Sequence, residues 1–340
     1  VRALITGATG LLARHLVPRL AAQCAGPHRA LVLPGEDATA LRAFDIDVVR
    51  GDIRDPDAVH TAVKGIDVVF HLAGMMGVWR PYSDYLAVNV DGAVNVCRAA
   101  QAADVERVVH VSSWTVYGMA RGGWIDEDAP LAPFGEPYAR SKTAGDLAIQ
   151  RLIAQENVRA VIVRPGTFFG PGDRLHFGRI ADRLRAGRGL IVGSGTNALP
   201  FVYVDDIVQG LLLAAFRDRA IGRAYNITTD EPLTQGEFLA AIAEELRLPP
   251  PSAHAPYAAL YAAGCIAEAL AALTRSRKQP ILTRLGVRVF GDDNRHAIAR
   301  ARAELGYAPR VTVREGIARA AAWYRGDEKT SAGAPGEAAA

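Results

Sequence analysis

Tyr138 and Lys142, in the segment Tyr138-Ala-Arg-Ser-Lys142, stand four residues apart at the start of a helical pattern. An i,i+4 pair shares one helix face, with the side chains roughly 6 Å apart. A phenol near pKa 10 is a poor acid–base group at neutral pH, and a neighbouring ammonium favours the phenolate and brings that pKa down. The pair therefore reads as a proton-transfer couple. Upstream, Ser112-Ser113 closes an apolar run that reads as a strand. A serine hydroxyl at the carboxyl end of a parallel strand can hydrogen-bond a substrate oxygen shared with the tyrosine.

A second chemical segment lies at the start of the chain, Thr6-Gly7-Ala8-Thr9-Gly10-Leu11-Leu12-Ala13. It follows a strand-like run and opens a helix. Gly7 permits the tight turn, Gly10 lets backbone approach a pyrophosphate, and Ala13 is small enough for helix to pack on sheet. The helix N-terminus then offers free N–H groups and its positive dipole end to phosphates. This points to a dinucleotide cofactor.

The elements that must position these groups are read from apolar periodicity. Short runs at Ala3–Ile5, Ala30–Leu33, Asp47–Val49, Val68–Leu72, Val108–Val111 and Ala160–Val163 alternate with helical patterns. Those patterns include Leu11–Ala22, Asp57–Val63, Tyr85–Ala103 and Tyr138–Ala154. Continuous apolar strands are buried on both faces, and β/α alternation gives a doubly wound parallel sheet. The expected fold class is α/β, a Rossmann-type doubly wound parallel sheet with a smaller mixed C-terminal substrate lobe. Residues 1–165 are expected to bind NAD(P), with 201–227 returning to that domain. Residues 166–325 are expected to form most of the substrate lobe, and 326–340, which lack large apolar residues, a disordered tail.

Composition narrows the class. Of 340 residues, 50% are hydrophobic, and 39 basic against 36 acidic residues give a net charge of +3 with no basic block. Nucleic acid is therefore not expected as a partner. Cys24, Cys97 and Cys265 are far apart and in no metal-ligand spacing, so a reduced, cytoplasmic protein with no metal site is expected. The Ala-rich stretch 255–273 carries Glu268 and is expected to be a core or lid helix, not an integral membrane span.

The chain resembles the extended short-chain dehydrogenase/reductases, also called the NAD-dependent epimerase/dehydratase family. The resemblance is carried by Thr6–Ala13, Gly51–Asp55, Asp67–Gly74 (DVVFHLAG), Asn89–Gly92, Val111–Gly118 (VSSWTVYG), Tyr138–Lys142, Arg164–Gly172 and Phe201–Asp206 (FVYVDD). It implies that Ser113, Tyr138 and Lys142 are catalytic, with Ser113 and not Ser112 in the catalytic position. It implies cofactor contacts from Gly7, Thr9, Gly10, Leu11, Leu12 and Leu33, adenine contacts from Asp52 and Ile53, and ribose and nicotinamide contacts from Leu72, Ala73, Tyr138, Lys142 and Pro165. It also implies a homodimer through the helices around the site.

Departures from the family pattern narrow the substrate. Trp114 and Thr115 stand where sugar-nucleotide dehydratases carry Asp-Glu. Thr167 and Leu199 stand where epimerases on UDP-sugars carry a diphosphate-binding Asn and Arg. An anionic diphosphate needs such partners. The remaining pattern is closest to the 3β-hydroxysteroid and sterol-4-carboxylate dehydrogenases and bacterial 3-ketoalkanoate reductases. The expectation is an NAD(P)-dependent oxidoreductase on a bulky, mostly apolar secondary alcohol or ketone, with Trp114, Thr115, Thr167 and Phe168 at the substrate and Trp79, Tyr82 and Phe169 as further pocket aromatics. The alternative is a nucleotide-sugar epimerase with bound NAD. Leu33 supplies neither an acid nor an arginine for the adenosine ribose, while Glu36 and Asp37 would repel a 2′-phosphate. NAD is favoured over NADP, with Arg29 the residue able to reverse that.

Overall fold

The computed structural model describes every residue except 25, 78, 119–122, 275, 277 and 327–340. The chain begins β1 (Ala3–Thr6), α1 (Leu11–Gln23), β2 (Arg29–Val32), β3 (Asp47–Arg50), α2 (Pro56–Val63) and β4 (Val68–His71). It continues α3 (Tyr82–Leu86), a π-helical stretch Ala87–Gly92, α4 (Ala93–Ala102), β5 (Arg107–Val111), β6 (Trp124–Ile125), α5 (Pro137–Glu156) and β7 (Ala160–Pro165). Then follow β8 (Thr167–Phe169), α6 (Phe177–Arg185), β9 (Ile191–Val192), β10 (Phe201–Tyr203), α7 (Val204–Phe216) and β11 (Ala224–Ile227). The last elements are α8 (Gln235–Glu245), β12 (His254–Ala255), α9 (Tyr257–Leu273), α10 (Arg284–Gly291), β13 (Arg295–His296) and α11 (Val313–Arg325).

Seven strands form one sheet in the order β11-β7-β5-β4-β1-β2-β3, every pair parallel. All residues of β1, β4, β5 and β7 are buried, the consequence of their continuous apolar runs. Successive side chains alternate between the two faces. Ala3, Ile5, Phe70, Val109 and Val163 join one core with α1 and α7, while Leu4, Val69, Val108 and Ile162 join a second with α2, α4 and α5. Each large apolar side chain so buried contributes about 1.5–3 kcal/mol. The order reverses between β1 and β4, a switch point outside whose carboxyl ends ligands bind.

Two local expectations are revised, and a third falls outside the described residues. The helix expected over 85–103 is α3, the π-helical stretch and α4 in succession. Residues 201–227 return to the large sheet only through α7 and β11, because β10 pairs with β8 in a separate two-stranded sheet, Phe201 opposite Thr167. The tail expected at 326–340 lies outside the described residues except for Gly326, which caps α11 with φ 81°.

Candidate active site

The phosphate turn is held by backbone geometry. Gly7 has φ +69°, and a Cβ there would fall 2.8 Å from the backbone of Ala73, so only glycine fits. Gly10 N–H donates to the Gly7 carbonyl at 3.1 Å and caps α1. No side chain caps this helix and its first turn carries no acid, so its N–H groups are free to receive phosphate. A Cβ on Gly10 would meet only the Gly7 carbonyl within 4 Å, which leaves the other side of the turn open. Leu72 N–H donates to the Thr6 carbonyl at 3.2 Å, which brings Leu72 and Ala73 against the same turn. This cradle fits a dinucleotide.

The residues expected on the adenosine side are arranged around the turn. Thr9 Oγ1 donates to Glu36 at 2.8 Å, so the Glu36 carboxylate sits over the turn, and Leu33 is exposed beside it. Arg50 at the end of β3 donates to the carbonyls of Leu33 and Glu36. Arg29, the residue thought able to favour NADP, is at the amino end of β2. It donates to Asp47 and to the carbonyls of Ala62 and Lys64, at the far end of the sheet from the turn. Asp52 is paired with Arg54, which lowers its carboxyl pKa, and Ile53 packs where a Cβ on Gly92 would fall 2.6 Å away.

The catalytic candidates converge at the carboxyl end of β5. Ser112 and Ser113 have opposite fates. Ser112 Oγ donates to buried Asp146 at 2.6 Å. Ser113 Oγ accepts from Thr115 N–H at 3.2 Å and from Thr115 Oγ1 at 2.9 Å. A serine oxygen has two acceptor sites and one donor, so with both acceptor sites filled Ser113 can only donate further. Ser113 faces the Tyr138 hydroxyl as a donor, which pulls the Tyr138 pKa down against the larger effect of burial. Thr115, expected to touch substrate, is buried and spends both donors on orienting Ser113.

Lys142 is buried, and its Nζ donates to the Val111 carbonyl at 2.7 Å. Burial pulls its pKa down to about 8, against the opposing pull of Asp146. Tyr138 differs from expectation. Burial pushes its pKa up, the Ser113 hydrogen bond acts the other way, and the lysine is turned to the Val111 carbonyl. Next to this pair, His71 and His110 face each other in register on β4 and β5, ring centroids 5.3 Å apart. Burial is the main reason both imidazoles have lowered pKa values, His110 at about 3, with the Lys142 charge adding to it.

Two residues outside the expected set hold the site together. Asn89 Oδ1 accepts from Met75 N–H at 2.7 Å, and its Nδ2 donates to Ser141 Oγ at 2.8 Å. It ties the loop after β4 to α5, and the Asn89-Val-Asp-Gly92 segment was its sequence signal. The approach is close enough that a Cβ on Gly145 would fall 2.3 Å from the Asn89 carbonyl oxygen. Glu136 caps α5 two residues before Tyr138. Its buried carboxylate has Arg284 of α10 at 3.9 Å, and burial raises its pKa. No local spacing signalled it. Beneath them Arg164 grips Asp146 through two 2.9 Å hydrogen bonds and reaches Tyr117, fixing α5 to β7.

The substrate-side aromatics divide. Trp114 is 3% exposed, donates Nε1–H to Thr167 Oγ1 at 2.9 Å, and packs on Phe134 and His296. Phe168 is half-buried against the main core. Phe169 is fully buried among Phe177, Phe201, Tyr203 and Phe238, so it is a core residue and not a pocket wall. Tyr82 lies under the Arg140 guanidinium, 4.3 Å from the ring centroid. Leu199 is turned into the main core, 1% exposed. Pro165 is buried at the end of β7.

The parallel sheet, with its glycine turn at the switch point and Ser113, Tyr138 and Lys142 beside it, is that of an oxidoreductase of the extended short-chain dehydrogenase/reductase class. The chain belongs to the NAD dependent epimerase/dehydratase family, whose model matches residues 3–228. It is 32% identical over 329 residues to a 2-alkyl-3-oxoalkanoate reductase of Stenotrophomonas maltophilia, covering 94% of this chain and 98% of that one. It is 29% identical to a 3beta-hydroxysteroid-dehydrogenase/decarboxylase of Arabidopsis thaliana, over 93% of this chain and 77% of that one. Among solved structures it is similar to MoeE5 in complex with UDP-glucose and NAD, with TM-score 0.73, 27% identity, and coverage of 96% and 99%.

Proposed function

We propose that the protein interconverts a secondary alcohol and a ketone on a bulky, mostly apolar substrate of the 3-oxoacyl or 3-hydroxysteroid kind, with NAD as the preferred cofactor. The observation that carries the reading is Ser113 with both acceptor sites filled by Thr115, which leaves its one proton for donation beside Tyr138. The two hydroxyls then address one substrate oxygen. Gly7, Thr9, Gly10, Leu11 and Leu12 would hold the cofactor phosphates, and Leu72, Ala73 and Pro165 its nicotinamide end. When bound, the cofactor supplies or takes up hydride. During reduction Tyr138 Oη gives its proton to the carbonyl oxygen while Ser113 Oγ donates a hydrogen bond to the same atom. The Lys142 ammonium stabilises the phenolate that remains. Oxidation runs the same proton path backwards. The preference for NAD is supported by the Glu36 carboxylate over the turn, which repels a 2′-phosphate, and by the distance of Arg29 from it. We further propose a homodimer through α4 and α5 in the cytoplasm.

Epimerisation of a nucleotide sugar is the second reading, favoured by the likeness to MoeE5 with its UDP-glucose. Against it stand the Thr167 hydroxyl engaged by Trp114 and the apolar Leu199 in the core. Each charge-assisted contact a diphosphate would lose is worth about 1.5–3 kcal/mol. Calorimetric titration of the NAD-loaded protein with UDP, a UDP-hexose and a long-chain 3-oxoalkanoate separates the two. Binding of the alkanoate with no heat from UDP is expected. Micromolar UDP binding with none of the alkanoate would make the epimerase reading the better one.

A further inference from the structure

Helix α9 has its polarity inverted. Over 17 residues its only charge, Glu268, is buried with Arg284, whose Nε lies 2.6 Å away. Gly264, Glu268 and Ala271 form the buried stripe, with Gly264 so close to the backbone of Thr283 and Arg284 that a Cβ would fall 3.1 Å from Arg284 N. Every exposed residue of the helix is Ala, Ile or Leu. A surface helix ordinarily turns its charges to water and its apolar stripe to the core. Here the exposed face carries Ile266 at 61%, Leu270 at 55% and Leu273 at 82% exposure, and Ile281 just beyond the helix reaches 92%.

Charge decides what covers this face. Arg275, Arg277 and Lys278 follow Leu273 within five residues. Between Glu245 and Asp292 the sequence has one acid, Glu268, and that one is paired internally. A second copy docked on α9 would therefore offer these cations no carboxylate from the same segment. An anionic lipid surface offers both an apolar layer and negative charge. Among the described residues no helix is long and apolar enough to cross a membrane, so the fit is to a helix lying in the interface.

We propose that α9 docks this protein on anionic phospholipid bilayers, with Ile266, Leu270 and Leu273 entering the headgroup–acyl boundary. The inference rests on α9 and its flanks alone and holds whatever the substrate. Flotation of the full chain with vesicles of phosphatidylcholine containing about 30% phosphatidylglycerol tests it. The wild type is expected to float, and to bind pure phosphatidylcholine vesicles at least about tenfold more weakly. Ile266→Glu combined with Leu270→Glu should stay with the soluble fraction and titrate with NAD as the wild type does, which shows that it is folded. The proposal is overturned if the wild type fails to float, or if the double variant floats equally well. It is also overturned if light scattering shows a wild-type dimer that the double variant dissolves, because the face then belongs to a second copy.

Discussion

At the carboxyl edge of β1 the protein presents backbone groups, whereas in the α9–α10 lobe its polar groups are side chains paired with one another. The first edge offers the Gly7 turn and the uncapped N–H groups of α1, all within a few residues. The second is built from Glu268 with Arg284, and Arg288 stacked over Phe134 and Tyr261, with Glu136 of the catalytic helix reached from α10. Backbone cradles demand glycine at set places, but side-chain pairs are exchangeable two at a time.

The largest effect is expected at the residues between the two regions. Tyr138→Phe removes the transferable proton and is expected to lower kcat at least about 100-fold, with little change in cofactor affinity by titration. Near-normal turnover would remove Tyr138 from its role. On the backbone side, Gly10→Val should weaken NAD binding by an order of magnitude or more, because a branched side chain fills the approach to the turn. On the lobe side, Arg284→Met should leave NAD affinity unchanged but cost about 1.5–3 kcal/mol in denaturant unfolding, since Glu268 loses a charge-assisted hydrogen bond. If both variants lost cofactor equally, the two regions would not be separable.

A pH series sharpens the same point. Burial lowers the Lys142 pKa to about 8, so its ammonium is lost as pH rises through that value, while Tyr138 stays protonated well above it. For the cofactor, kcat/KM in the reducing direction should fall above about pH 8, and a flat profile to pH 9.5 would contradict the assignment. The smallest effect concerns His110. Its folded pKa, about 3, lies below its ordinary 6.5, so the unfolded chain takes up the proton first. Its contribution to stability is complete above pH 6.5 and is lost as pH falls towards 3. Among the described residues neither ring nitrogen has a hydrogen-bond partner, so His110→Leu should fold and show a shallower loss of melting temperature between pH 7 and 5.

What was legible in the sequence follows the same division. The strands, the phosphate turn and the Tyr138/Lys142 spacing are local patterns, and chain order carries them. Ser113 and Ser112 are indistinguishable by type, and what separates them in space is Asp146, brought from the next helix. Thr115 reads as a substrate contact because it stands where the sugar-nucleotide dehydratases carry an acid, but its two donors point backwards to Ser113. Phe169 read as a pocket aromatic because ring side chains look alike until the strand register turns one inward. Glu136 and Arg284 meet from positions far apart in the chain, and no periodicity reports such a pairing.

The central claim is net redox chemistry on an apolar 3-oxo substrate, and the most direct measurement is stoichiometry. Purified protein is incubated with reduced cofactor and a long-chain 3-oxoalkanoate or a 3-oxosteroid, and cofactor absorbance and alcohol product are followed together. The account predicts one equivalent of cofactor consumed for each equivalent of alcohol formed, and none with a UDP-hexose. Conversion of the UDP-hexose with no net change in cofactor absorbance, and no reduction of any 3-oxo compound, would contradict it.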